Sequence, residues 1–234
     1  MDTGTATTIT GTDPLAQLRL FQLVSPALPI GAFAWSRGLE SAVELGWITD
    51  AASARAWIGG LLEHAVARLD LPVLLRVHRA LARGDRDEAG RWAEWIEATR
   101  ESAELRDESR HVGASLAKLL RDLGIASAPD LAPPISSSHL ACFALACVRS
   151  AIDERACARG YAFSWLEGQV GAAIKLVPLG QTDGQRLLFA EAGRIEGLVA
   201  SAAALDDDDI GATSPGLAIA SALHETQHTR LFRS

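Results

Sequence analysis

The chain reads as all-α, and three observations predict it. Ala and Leu are abundant in a sequence that is 48% hydrophobic, and both are strong helix formers. Tyr occurs once, and no long run of Val, Ile and Thr alternates with polar residues as a half-buried strand requires. Apolar residues recur instead at three- and four-residue spacings, the period of one buried helix face. A chain of 234 residues can bury a substantial core. The expectation is a single-domain bundle of about ten helices over residues 14–223. A flexible N-terminus, residues 1–13, precedes it and a C-terminal docking tail, residues 224–234, follows.

The opening Thr/Gly/Ala stretch carries no apolar pattern and is expected to be disordered. Asp13-Pro14 is a helix start, an N-cap followed by proline at the first helical position. Leu15, Leu18 and Leu23 begin that helix's apolar pattern. Ser25-Pro26-Ala27-Leu28-Pro29-Ile30-Gly31 cannot continue it, because each proline removes a donor and biases the preceding residue towards extended geometry. A second helix is expected over residues 32–45, ending at Gly46, and a third after the N-cap Asp50. In the third, Trp57, Ile58, Leu61, Leu62, Ala65, Val66 and Leu69 mark one buried face. Pro72 is read as opening a fourth helix that ends near Gly84.

Asp85 caps the next segment, which carries Trp92, Trp95 and Ile96. The run Arg100 to Arg110 is so highly charged that it reads as a solvated face, although Glu104 and Glu108 share turns. Leu116, Leu119, Leu120 and Leu123 return the pattern to the core. Residues 126–137, with Pro129, Pro133 and Pro134, are the candidate internal loop or hinge. Ser138 can cap a helix through Phe143, Cys147, Val148 and Ile152, and residues 161–177 form another closed by Pro178. The segment from Leu179 to Arg186 turns into a helix through Leu187, Leu188, Ile195, Leu198 and Val199. Asp206 to Asp209 is an acidic linker, and Pro215 opens a last short helix.

The formal net charge of −7 and pI near 5.4 argue against nucleic acid as a partner, since phosphate binding needs clustered Lys and Arg. Cys142, Cys147 and Cys157 are odd in number, lie in Ala-rich helical sequence and lack CxxC spacing. They read as small core residues in a reducing compartment. No basic n-region with an apolar h-region opens the chain, and no stretch reaches the roughly 18 apolar residues of a membrane helix. A cytoplasmic protein that does not enter a membrane is expected.

His224-Glu225-Thr226-Gln227-His228 is formally HExxH, in which two imidazoles on one helix face bind zinc and the glutamate acts as base. A catalytic zinc needs a third protein ligand, and the six residues that follow contain no His, Asp or Glu. A zinc metallopeptidase is therefore the enzyme alternative and a generic helical adaptor the interaction alternative. Gly180 to Arg186 lacks the lysine of a P-loop, Asp206 to Asp209 lacks the spacing of a calcium loop, and no GxSxG elbow occurs. No catalytic residue, metal ligand or cofactor is assigned. The tail is oddly built for a terminus: Glu225, Gln227, Arg230, Leu231, Phe232 and Arg233 place an apolar pair among guanidinium groups. Such a segment either orders on a partner or folds back onto its own domain.

Several ordered segments resemble the UreF family of urease accessory proteins. They are Leu23 to Phe33 (LVSPALPIGAF), Gly38-Leu39-Glu40, the Glu104-Leu105-Arg106 and Glu108-Ser109 region, Ala173 to Gln181 (AIKLVPLGQ), and Leu231 to Ser234. The resemblance covers nearly the whole chain from about Leu15. It implies an all-α homodimer without chemistry of its own. Such a protein joins UreD (also called UreH) and recruits the GTPase UreG to deliver nickel to apo-urease. Trp35 and His228 stand where the family usually has tyrosine, and both are flat side chains able to pack at an interface. The resemblance assigns the tail to UreD, with Leu231 and Phe232 as anchors and Arg230 and Arg233 as polar clamps. Lys175, Gln181, Asp183, Gln185 and Arg186 are candidates for a UreG-facing surface or, equally, for a capping network at a helix junction. The sequence supplies no Cys/His cluster that would hold nickel.

Overall fold

Short polar caps set most helix starts. In the computed structural model, which describes residues 13–211 and 214–233, Asp13 Oδ1 accepts from the Leu15 amide and opens α1, Pro14–Val24. The flexible segment expected before it lies, Asp13 apart, outside the described residues. Only part of the apolar pattern of α1 turns inward: Ala16 and Leu23 are buried, whereas Leu15, Leu18 and Phe21 are exposed.

The expected second helix is broken. A single 3-10 turn, Ala32–Ala34, is followed by extended Trp35 and by α2, Leu39–Glu44. The break falls at Arg37 and Gly38, both with left-handed φ, +55° and +75°. A Cβ on Gly38 would also stand 3.3 Å from Leu217, Ala220 and the Ser221 nitrogen. Conformation and close approach of the last helix both call for glycine there.

Asp50 and Ser53 form a capping box at the start of α3, Ala51–Leu61. Pro72 stands in the first turn of the expected fourth helix, but no break separates that helix from α3. The chain passes through a π-helical stretch, Leu62–Asp70, directly into α4, Leu71–Ala82. Pro72 leaves the carbonyls of the preceding turn short of a donor, and the carbonyl of Arg68 accepts from the Gly211 amide at 3.2 Å instead. Wider π turns ease the steric conflict between the proline ring and that carbonyl.

Asp85 caps α5, Arg86–Ala98, and Ser102 caps α6, Ala103–Asp122. Ser138 caps α7, His139–Arg149, every residue of which from Leu140 to Cys147 is buried. Between them the proline-rich loop is tied down by Asp130, which accepts from Ser127, Arg86 and Arg149. The next helix, α8, Glu154–Leu176, begins at the cap Asp153 rather than near Tyr161. Gly160 lies inside it because a Cβ there would strike Leu20 of α1 at 2.6 Å. Then follow α9, Gln181–Ala192, α10, Ile195–Ala203, and α11, Pro215–His224.

The described residues share one apolar core, drawn from every helix, with α4, α7 and α8 at its centre. Cys142, Cys147 and Cys157 are free and buried within it, and burial pushes the Cys142 thiol up to about 12. A thiol held protonated in this way is a packing group, not a nucleophile.

The charged run at the start of α6 is the largest departure from expectation. Glu104, Leu105, Glu108 and Ser109 are buried, in line with Val112, Leu116 and Leu120. The apolar stripe of α6 thus continues into its first turns as a buried polar stripe, and only the opposite side, with Asp107, Arg110 and His111, meets solvent.

Candidate functional site: a charged receptacle for the C-terminal tail

A short helix, a broken helix and a buried acidic stripe meet where the chain ends. α11 stops at His224 because the chain turns there, with the Thr226 and Gln227 amides donating to the carbonyls of Leu223 and His224. His224 is fully buried. Its Nδ1 lies 2.9 Å from Glu104 Oε2, and its Nε2 lies 3.1 Å from Glu40 Oε2. Ser102 and Ser221 hydroxyls pair at 2.6 Å beside it, joining α6 to α11. The following residue, Glu225, turns away and accepts from the Ala103 amide at 3.0 Å.

The tail then folds back across this cluster. Arg230 Nη1 donates to Glu104 Oε1 at 3.0 Å, while its other nitrogens donate to the carbonyls of Gln227 and Glu225. Glu40 accepts from two consecutive backbone amides, Leu231 at 2.6 Å and Phe232 at 2.9 Å. Arg233 donates its amide to the Ala34 carbonyl at 2.8 Å, and its guanidinium stands 5.9 Å from the Trp35 ring centroid. Side chains alternate as in any extended segment: Phe232 is 6% exposed and Leu231 64%. The Lys175 ammonium lies 5.4 Å from the centre of the Phe232 ring, a cation–π contact.

A second polar layer supports this one. Arg37 is held in a bidentate grip by Glu108, with Nε at 2.8 and 3.0 Å and Nη2 at 2.7 Å. Burial works against the Arg37 charge, but Glu108, together with Tyr161 and Asp70, more than offsets it and raises the pKa. Asp70, at the end of the π-helical stretch, pairs with Arg100 at 2.6 Å and lies 3.4 Å from the Tyr161 hydroxyl. Against these two guanidinium groups, burial drives His139 down to about 3, so its imidazole stays neutral.

The residues singled out in the sequence fall into distinct positions. Arg230, Leu231, Phe232 and Arg233 share one face with Lys175, so one member of the supposed second surface joins the tail. Phe232 points into the chain's own core, which leaves Leu231 as the outward apolar side chain. Gln227 donates to the Thr229 carbonyl and Glu225 secures α6. Gln185 and Lys175 line a cavity of about 320 Å³ beneath the proline loop, walled by Leu28, Trp35, Trp165 and Leu188 among others. Gln181 and Asp183 are exposed at the start of α9, where Asp183 pairs with Arg186 at 2.8 Å. The formal HExxH is not a helix-face pair: His224 ends α11 among carboxylates, and His228 stands beyond the helix, exposed.

Sequence pattern did not mark Glu40, Glu104 and His224 as a unit. The available signal was the i, i+4 pair Glu104/Glu108 in phase with Val112 and Leu116, which places both acids on the buried side.

Comparison with known proteins gives a consistent result. The UreF family model matches residues 48–192. Urease accessory protein UreF of Chromohalobacter salexigens is 50% identical over 222 residues, covering 95% of this chain and 96% of its own. UreF of Alkalilimnicola ehrlichii is 49% identical over 227 residues, covering 96% and 99%. The protein named Urease accessory protein UreF 2 of Brucella anthropi is 47% identical over 220 residues, covering 94% and 97%.

Proposed function

Because the chain belongs to the UreF family of urease accessory proteins, we propose that it is a nonenzymatic maturation factor that binds UreD (UreH) and recruits UreG for nickel insertion into apo-urease. The observation that carries this reading is the fastened tail. Glu40, Glu104 and the Ala34 carbonyl hold residues 230–233 against the body, so that Leu231 and Arg233 are presented from a fixed backbone while the Arg230 guanidinium is turned to Glu104. Preorganised arginine and aliphatic side chains lose little entropy on binding, and anchors of this kind dominate interface energies. Leu231 is then the anchor offered to UreD, Arg230 and Arg233 its polar flank, and Phe232 the peg that fixes the segment from below. Gln181, Asp183, Gln185 and Arg186 are assigned to the UreG-facing side, whereas Lys175 stands with the tail.

The same reading makes the protein cytoplasmic and homodimeric. No described helix is long and apolar enough to cross a membrane, and the exposed Leu15, Leu18 and Phe21 of α1 offer an apolar surface to a second copy. The test is co-purification of tagged UreD with the full chain and with a chain ending at Leu223, each then challenged with UreG. A complex formed only by the intact chain supports the tail as the UreD-binding element. Equal recovery of both chains moves the interface to the helical body, and recovery of neither removes the UreD reading.

A further inference from the structure

We propose that the cavity beneath the proline loop, residues 25–31, is a binding site for a small, neutral aromatic molecule of indole size whose single hydrogen-bond donor meets Gln169 Oε1. The cavity measures about 320 Å³. That is about twice the ~150 Å³ of an apolar cavity able to take up benzene, so two fused rings fit. Its wall is built chiefly of flat and branched apolar side chains, Leu28, Trp35, Phe143, Trp165, Ile174 and Leu188 among them. Such a wall holds an aromatic ring through dispersion and edge-to-face contacts, and a few polar groups then decide which ring is taken.

One polar atom sets the chemistry of the ligand. Gln169 of α8 belongs to the cavity wall and is 2% exposed. Its Nε2 donates to the Ser36 carbonyl at 3.1 Å. A carbonyl can only accept, so this bond fixes which end of the amide is which and leaves Oε1 as an acceptor. Oε1 has no hydrogen-bond partner among the described residues, and a buried acceptor left unpaired is costly. A ligand N–H or O–H supplies the missing donor. The charged groups of the wall do not call for a charged ligand. Arg37 is gripped by Glu108, Lys175 stands over the Phe232 ring, and burial keeps His139 and Tyr161 neutral. Glu167 is only half-buried and stays in contact with water, where its charge is screened.

The helix beside Gln169 is built to leave this space. Gly168 and Gly171 stand inside α8, Glu154–Leu176, and both line the cavity. A glycine inside a helix is less stable than alanine, and at two nearby positions close packing accounts for it. A Cβ on Gly160 would strike Leu20 at 2.6 Å, and one on Gly184 of α9 would strike Ile174 at 2.5 Å. Nothing lies within 4 Å of a Cβ built on Gly168 or Gly171. No packing contact calls for glycine at either position, and what the pair leaves open is a flat stretch of cavity wall that suits a planar ring. The site rests on these contacts alone and stands whether or not the chain meets UreD or UreG.

The experiment is a titration of the full chain with indole and with benzofuran, which has the same shape and no donor, followed by proton–nitrogen NMR of the Gln169 side-chain amide and the α8 backbone. Indole is expected to saturate the site with a Kd at or below about 1 mM and to shift the Gln169 amide. Benzofuran should bind about three-fold or more weakly, the loss of one hydrogen bond to a buried acceptor. In Gln169→Met, which keeps the volume and removes the acceptor, the preference for indole should vanish. Gly171→Leu replaces a helix-interior glycine with a better helix former, fills the open space and should weaken indole binding ten-fold or more. Indole that does not saturate, benzofuran that binds as tightly as indole, or undiminished binding by Gly171→Leu overturns the site. So does an ordered water only, seen as a water–Gln169 cross-peak that persists at high indole. The indole–benzofuran comparison uses the natural chain and does not depend on how either variant folds.

Discussion

Glu40 Oε2 accepts from the Phe232 amide at 2.9 Å across 192 residues of sequence, so the N-terminal Gly38-Leu39-Glu40 segment is the seat of the C-terminal tail. The same carboxyl group accepts from Leu231 and faces His224. Replacing it leaves several buried donors unpaired, each costing about 1–3 kcal/mol. Glu40→Ala is therefore expected to release residues 225–233 while the helices stay folded. Carboxypeptidase digestion should shorten the variant much faster than the natural chain at matched circular dichroism. A variant tail as resistant as the natural one would show that Glu40 does not hold it.

Leu231 and Phe232 are neighbours with opposite fates, and truncation should separate them. Phe232 fills a buried site, and a fully buried Phe→Ala change costs about 3–5 kcal/mol where the structure cannot give way. Here it can. Losses beyond the free energy of tail docking are relieved by undocking, so Phe232→Ala should expose the tail to protease with little shift in the main melting transition. Leu231, 64% exposed, should tolerate alanine within about 0.5 kcal/mol and reveal its role only when UreD is added. A melting temperature that falls steeply in Phe232→Ala would mean that the tail is part of the cooperative core.

His139 predicts an acid-side loss of stability. Burial, and then Arg37 and Arg100, lower it to about 3 from an ordinary value near 6.5. Between these values the unfolded chain binds a proton that the folded chain refuses. Stability is unaffected above about pH 6.5 and falls with decreasing pH down to about pH 3, by up to about 1.4 kcal/mol per pH unit for one linked proton. Asp130, held below the ordinary carboxylate range by Ser127, Arg86 and Arg149 against the effect of burial, adds a loss below about pH 4. Glu97 acts in the opposite sense: burial raises it, so its contribution is present at low pH and is lost as pH rises through its folded value. Melting temperatures measured from pH 7 to pH 4 should decline in the natural chain and decline less in His139→Gln. Equal slopes would show that His139 is protonated in the folded state.

Much of the fold was legible because caps and apolar stripes act over a few residues. Asp13, Asp50, Asp85 and Ser138 cap helices where the sequence places them, and the face from Ile58 to Val66 is buried. What escaped depends on distant partners. The unbroken passage from α3 into the helix at Pro72 is invisible because nothing local shows that Gly211 will satisfy the Arg68 carbonyl. Arg100 to Arg110 reads as solvated because its burial needs Arg37, Asp70, His224 and Arg230, which come from four other parts of the chain. The tail was recognised as unusual, but Phe232 and Leu231 looked alike until the Glu40 clamp fixed which of them points inward.

Gly38 joins two of these features and should be the most sensitive glycine at the site. Its φ of +75° disfavours any side chain, and a Cβ would press on α11 at 3.3 Å. Gly38→Ala is expected to cost more than about 1 kcal/mol. Because α11 carries His224, amide protection at Leu231 should also fall. Gly46→Ala, with φ +73° and nothing within 4 Å of the added Cβ, is the matched control. It should lower stability through its backbone alone and leave the tail docked. Equal effects on the tail would detach it from the Gly38 contact.

Asp183 and Arg186 offer the sharpest separation of structure from recognition. They pair on the surface of α9 at 2.8 Å with side chains 50% and 75% exposed, and exposed pairs of this kind contribute about 0–1 kcal/mol. Exchanging them, Asp183→Arg with Arg186→Asp, keeps a pair of opposite charges three residues apart and should leave the melting temperature nearly unchanged. If α9 faces UreG, the exchange reverses the charge pattern that a partner meets, and recruitment of UreG to the UreD-bound chain should drop by ten-fold or more while UreD binding persists. Undiminished recruitment would reduce this pair to a helix-surface contact and confine the UreG-facing candidates to Gln181 and Gln185.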